Sequence, residues 1–239
     1  MEVDALVTTN NFRRHRFRYL NIVILWLSLF STVANILSFM EFFYKFFPPV
    51  VLLIILPWAG LFFFLEFLIF LLFFAKMFLI FANILKKPKE GIFEKSIWDQ
   101  DYMFYCYRKS IKELVLKLFN YFPLPWVKIL VLKVFNIKIP SNSGVLDSYI
   151  DSDFIKFGNE VILGEGSVVM SSMIIRDTLI VKEVILKDGC TVGVNSVIAP
   201  GTIMEKKSIL GMGSYTKINQ HLEEGWIYVG KPAIKHSKV

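Results

Sequence analysis

Two bilayer-crossing helices followed by a three-sided solenoid of short strands is the architecture this 239-residue sequence predicts. Three features predict it. Residues 19–40 carry no charge; 40 residues from Phe46 to Leu85 are broken only by Glu66, Lys76 and Asn83; and from Leu186 five six-residue units follow one another without a gap. About 20 apolar residues suffice to cross a bilayer core, and a six-residue period fits neither a lone helix nor a flat strand.

Composition narrows the function classes. With 55% apolar residues, 24 Phe, only 20% charged residues and a mean hydropathy of +0.54, the chain is not a disordered one. Its net charge of +7 divides as +4 over residues 1–90, +4 over 91–143 and −1 over the rest. Basic residues therefore accompany the apolar runs, which favours anionic lipid over nucleic acid. Cys106 and Cys190 have neither CxxC nor disulfide-framework spacing and read as reduced and structural.

Residues 1–90 form the membrane anchor, with spans at about 19–40 and 49–75. Arg13, Arg14, Arg16 and Arg18 precede the first span, but the run is too long for a signal peptide and no small-residue cleavage site follows Ser38, so it is retained. The second run would measure about 60 Å as one helix. With no turn residues from Phe62 to Ala75, one tilted span kinked at Pro57 is the simpler reading, continuing toward Lys76, Lys86, Lys87 and Lys89. Basic residues flank both outer ends of this hairpin. The positive-inside rule then puts both termini and the C-terminal domain in the cytoplasm of a multi-pass cell-membrane protein. Glu66 is a functional candidate inside the span, against the alternatives of an interface position or a pairing with a neighbouring subunit.

Residues 91–140 read as amphipathic interfacial helices. Ile111, Leu114, Val115, Leu118, Phe119 and Phe122 recur at helical spacing against Lys109, Lys112, Glu113 and Asn120, up to the Pro123-Leu-Pro125 break. A second segment, Trp126 to Ile139, carries Lys128, Lys133 and Lys138 and suits the headgroup layer. Packing against the following domain is the alternative.

Residues 141–239 carry the repeat: LKDGCT, VGVNSV, IAPGTI, MEKKSI, LGMGSY. The first position is always aliphatic (Leu186, Val192, Ile198, Met204, Leu210) and the fifth always small (Cys190, Ser196, Thr202, Ser208, Ser214). A second phase, FGNEVI, LGEGSV, VMSSMI, IRDTLI, runs upstream and slips by one residue near Val181. A prism with one aliphatic residue pointing inward per side and about 18 residues per coil accounts for this pattern, and so slender a core predicts contact between copies.

These hexads and the closing GWIYVGKPAIK, with Gly230, Pro232 and Ala233 in a G-x-P-A pattern, resemble the hexapeptide-repeat acyltransferase family over roughly residues 135–235. Joined to membrane helices, the arrangement is similar to the C-terminal portions of nonribosomal poly-amino-acid synthetases. The resemblance implies a left-handed parallel β-helix, a homotrimer, and transfer of an acyl group from acetyl-CoA or another acyl thioester, carried by CoA or a carrier protein, to a hydroxyl or amine. No tightly bound cofactor is implied. The acceptor expected at a membrane is an amphiphile or envelope precursor. The family's proton-abstracting histidine would fall at Ser172, which is no base. His15, His221 and His236 all lie outside the coils, so a zinc site has no ligands there either. Asp177 and Glu183, beside the phase slip, are the substitute bases; Ser171 and Ser172 are candidate acceptor contacts, and Lys206, Lys207, Lys217 and Lys231 with Gly230, Pro232 and Ala233 the candidate CoA contacts. The missing histidine equally suits a non-catalytic trimeric scaffold, and Glu66 a pore or carrier.

Overall fold

The structure, a computed structural model, describes residues 17–122, 124–145, 147–151 and 153–239. Arg13, Arg14, His15, Arg16 and Pro123 lie outside the described residues. Helix α1 (Arg18–Phe46) and helix α2 (Pro49–Leu85) are both long and apolar enough to cross a membrane. Pro49 stands in the first turn of α2, where its missing N–H costs nothing, and the helix continues through Pro57 as one element well past residue 75. The two helices form an antiparallel hairpin in which Asn35 donates to Glu66 and the rings of Phe39 and Phe63 meet edge to face at 5.5 Å.

The far half of α2 is held by protein. Leu68, Leu71, Ala75, Leu79 and Ala82, spaced by three and four, make a buried seam. Against this apolar cluster pack Ile24 of α1, Ile111, Val115 and Phe119 of α3 (Gln100–Phe119), and Val131 and Phe135 at α4 (Pro125–Val134). Between α2 and α3 runs a short strand, β1 (Gly91–Glu94). Helix α3 begins where the Asp99 carboxylate accepts from the amides of Asp101 (2.8 Å) and Tyr102 (3.1 Å), an N-cap that satisfies two otherwise orphaned donors.

Strands follow in quick succession: β2 (Gly144–Val145), β3 (Tyr149–Ile150), β4 (Ile155–Phe157), β5 (Ile162–Leu163), β6 (Val168–Val169), β7 (Ser172–Ile175), β8 (Thr178–Val181) and β9 (Val184–Leu186). After them come β10 (Thr191–Val192), β11 (Val197–Ile198), β12 (Ile203–Met204), β13 (Ile209–Leu210), β14 (His221–Leu222), β15 (Trp226–Gly230) and β16 (Ala233–Lys238). Three parallel sheets share them in rotation, ordered β15-β13-β10-β5-β2, β11-β6-β3 and β14-β12-β9-β4, with β16 antiparallel on β15. Thr191 pairs with Ile209, Ile203 with His221 and Gly144 with Ile162, eighteen positions on each time. The first-position aliphatics of the five hexads are all fully buried, as are the small fifth-position residues Cys190, Ser196, Thr202, Ser208 and Ser214. Removing each aliphatic from water contributes roughly 1.5–3 kcal/mol. The corner hydroxyls bond to the backbone, Ser196 to the Gly211 carbonyl at 2.7 Å and Ser208 to that of Glu205 at 2.7 Å.

One interval differs. Thr191 also pairs with Ile162 and Val197 with Val168, twenty-nine positions back, so eleven extra residues lie within that lap. They are the β7–β8 hairpin, which leaves the parallel sheets and pairs antiparallel with β1. The upstream hexads VMSSMI and IRDTLI are therefore corrected: beyond Val169 they build a hairpin, and eleven residues, one short of two hexads, account for the phase slip. The hairpin has two apolar faces. Ile174, Leu179 and Val181 cluster with Tyr102, Tyr105 and Cys106 of α3, while Met173 clusters with Met170 and Ala199 on the parallel sheets.

Candidate functional site

Ser172 opens the hairpin, and α3 crosses above it. Its hydroxyl donates to the carboxylate of Asp151, just after β3, and lies 2.7 Å from the Tyr105 hydroxyl and 3.1 Å from the Lys109 ammonium. Lys109 also donates to Tyr105 at 2.9 Å and pairs with Asp151 at 3.4 Å. Its charge lies near the ring faces of Tyr105 and Tyr149, at 5.4 and 5.9 Å. Ser172 and Asp151 are each 3% exposed and Lys109 5%.

The positions follow from local structure. Tyr105, Lys109 and Lys112 are spaced by four and three and so share one face of α3. The outward face of the hairpin places Ser172 beneath them, and the start of the preceding lap brings up Asp151. Lys112 pairs with Asp153 at 2.7 Å, and Ser171 donates to the Asp153 carbonyl, so the second lysine is drawn in beside the first. Lys109 and Lys112 therefore meet the strands instead of water or headgroups, while Asn120 at the end of that face is exposed. A buried lysine is tolerated only because it is paired. Burial opposes the Lys109 charge, but Asp151 and the two tyrosine oxygens outweigh it and hold the ammonium well above its ordinary value. Burial pushes the Tyr105 and Tyr149 hydroxyls up, leaving both as neutral hydrogen-bonding groups.

Chemically the cluster unites a hydroxyl, a carboxylate able to accept its proton and a cation able to face a developing negative charge. The adjoining cavity, bounded by Tyr105, Arg108, Asp153 and Val181, measures about 10 Å³, room for one water. The Arg108 guanidinium, on the next position of α3, donates to the Lys86 carbonyl at 3.0 Å, and its Nε has no partner.

The other candidates lie elsewhere. Asp177 is exposed at the hairpin turn, where its carbonyl accepts from the Lys95 amide at 2.8 Å. Glu183 follows the hairpin and is engaged by Lys156 at 2.8 Å; it borders an open groove of about 420 Å³ with Glu90, Lys182 and Asn219. Lys206 faces Asp188 at 3.6 Å, Lys207 occupies a corner, and Lys217 is exposed. Gly230 pairs with Ala233 across Lys231 and Pro232 in the turn between β15 and β16. Glu205 takes His221 at 3.0 Å and Lys187 at 2.7 Å. Sequence reasoning singled out Ser172, which this cluster contains, and did not single out Tyr105, Lys109 or Asp151 as site residues. The one available signal was a pair of lysines on a helix face that also carries tyrosine.

No protein-family model matches the chain, and no curated protein does. Among solved structures it is similar to a maltose O-acetyltransferase from Clostridium difficile 630, at 14% identity over 57% of this chain and 88% of that one, with a TM-score of 0.47. It is also similar to a hexapeptide-repeat containing acetyltransferase from Vibrio cholerae O1 biovar eltor complexed with acetyl coenzyme A, at 13% identity over 60% and 91% of the two chains, with a TM-score of 0.43. A serine acetyltransferase in complex with CoA follows at 11% identity, 55% and 57% coverage and a TM-score of 0.32. Likenesses of this degree leave the chemistry of this chain to be argued from its own residues.

Proposed function

We propose that the chain is a membrane-anchored acyltransferase of the hexapeptide-repeat type. Its α1–α2 hairpin crosses the bilayer, its sheets are the faces of a left-handed β-helix, and three copies assemble side by side on the cytoplasmic face. The observation that carries this reading is the convergence of Ser172, Asp151 and Lys109 where the strands meet α3. That is the position to which the family resemblance assigns proton abstraction.

In the proposed reaction the acceptor's oxygen or nitrogen attacks the thioester carbonyl. The C–S bond breaks, the thiolate departs with the donor, and the acceptor's proton passes to the Asp151 carboxylate, directly or through the Ser172 hydroxyl. Lys109 faces the oxyanion that forms. Donor phosphates would lie along Lys206, Lys207, Lys217 and Lys231, beside the Gly230–Ala233 turn, and anchoring would concentrate a lipid-borne acceptor.

A second reading, a non-catalytic scaffold, is favoured by one specific observation: every group of the cluster is buried and paired under α3. Acetyl transfer from radiolabelled acetyl-CoA to native lipids by the full chain in vesicles separates the two. The enzyme reading expects labelled product that disappears in Asp151→Asn, with Asp177→Asn and Glu183→Gln retaining activity. Loss in one of those two instead moves the base there. The scaffold reading expects no product and no thermal shift with CoA, where a ligand at 100 times its Kd would stabilise by about 2.7 kcal/mol.

A further inference from the structure

The largest groove among those described lies away from Ser172, at the first lap. It measures about 660 Å³ and is lined by Lys133, Asn136, Lys138, Pro140 and the apolar surface of Ile137, Ile139 and Phe157. No carboxylate lines it, in contrast to the groove beside Glu183. Lys133 and Lys138 are exposed, and Lys133 holds the Ser141 hydroxyl at 2.8 Å. Behind the rim a third cation approaches: Lys76 of α2 donates to the Val134 carbonyl at 2.5 Å and to Asn136 Oδ1 at 3.1 Å. That contact covers a terminal carbonyl of α4, so the partial negative charge of the helix end is offset where an anion would approach.

The groove also sits beside the anchor. Lys76 belongs to the stretch of α2 whose outer residues Phe73, Met77 and Ile80 are exposed, and α4 turns Trp126 and Leu130 outward. A ligand lying here would have cations at one end, an apolar floor beneath it and an apolar helix surface next to it. Free phosphate needs only the first of these.

We propose that this groove binds the phosphate headgroup of an anionic membrane lipid, with Lys133 and Lys138 as its contacts and the Phe157 side receiving the glycerol and upper chains. The inference rests on the anchored reading above. Its test keeps the two apart by using the full chain in vesicles of phosphatidylcholine alone or mixed with phosphatidylglycerol, followed by native mass spectrometry of retained lipid. Flotation with both compositions and a roughly thirtyfold retention of phosphatidylglycerol over phosphatidylcholine are expected, two lysines each contributing about 1 kcal/mol near an anionic surface. Lys133→Gln with Lys138→Gln should abolish that preference, while Lys235→Gln with Lys238→Gln on β16 leaves it unchanged; both variants exchange exposed lysines, and equal melting temperatures check their folding. Equal retention of the two lipids, or the same loss in both double variants, overturns the lipid site. Glycerol phosphate competing as well as phosphatidylglycerol overturns the lipid as its source. Failure to float with either composition overturns the anchored reading itself.

Discussion

Lys207 shows how one residue records the geometry of a corner. The fourth residue of every hexad from Gly189 to Gly225 has positive φ: Gly189, Asn195, Gly201, Lys207, Gly213, Asn219 and Gly225. Glycine and asparagine adopt this conformation readily, whereas a lysine at φ 54° strains its backbone. Lys207→Gly is expected to raise stability by about 1 kcal/mol in chemical denaturation. Gly213→Ala should lower it by a similar amount, although an added Cβ at Gly213 meets nothing within 4 Å. At Gly201 a Cβ would stand 2.3 Å from the Asn219 side chain, so strain and collision act together there. The first and fifth positions were legible in the sequence because apolar or small residues recur at them without exception. The fourth was equally regular but is chosen for conformation, which hydropathy does not display.

At the scale of elements, α3 is tied to the strands by charge as much as by apolar contact. Removing one partner of a buried pair leaves the other uncompensated, so Lys109→Met is expected to cost about 3–5 kcal/mol in denaturant midpoint analysis, and the double variant Lys109→Met with Asp151→Leu markedly less. Because the Lys109 pKa is raised on folding, its contribution is present in full below about pH 10.4 and disappears as pH rises through the folded value. The wild type should therefore show an alkaline loss of stability that the methionine variant lacks. This tie was hidden from sequence reasoning for a physical reason. Lysines on a helix face ordinarily mark water, and Asp151, forty-two residues further on, declares itself only once the chain has closed a lap. The hairpin was hidden differently: SSMIIRDTLIV keeps an aliphatic rhythm close to six because it too must bury two faces.

Across the whole molecule, the junction of α2 and α3 has an acid-sensitive clasp. Lys89 and Lys86 reach Asp101, in the first turn of α3, at 2.8 and 3.4 Å. Burial pushes the Asp101 carboxyl up, but the two lysines outweigh it and hold it below its usual range. A depressed carboxylate stabilises the fold above its unfolded value of about 3.9 and ceases to do so as pH falls through the folded value. The protection of β1 and the start of α3 against hydrogen exchange, after division by the intrinsic exchange rate at each pH, should fall below about pH 4 in the wild type, and Asp101→Asn should flatten that dependence. The two long apolar helices and the strand-rich C-terminal region were readable from hydropathy and period alone. How the parts lock together was not, since it depends on pairs that no local pattern announces.

The reversed direction of β16 carries a consequence for assembly. A parallel stack whose longest sheet ended on β15 would offer its final backbone edge as a template for another chain, and filaments would follow from end-to-end growth. Strand β16, paired antiparallel on β15 with the exposed Lys235 and Lys238 along it, covers the edge of that sheet and so blunts this route.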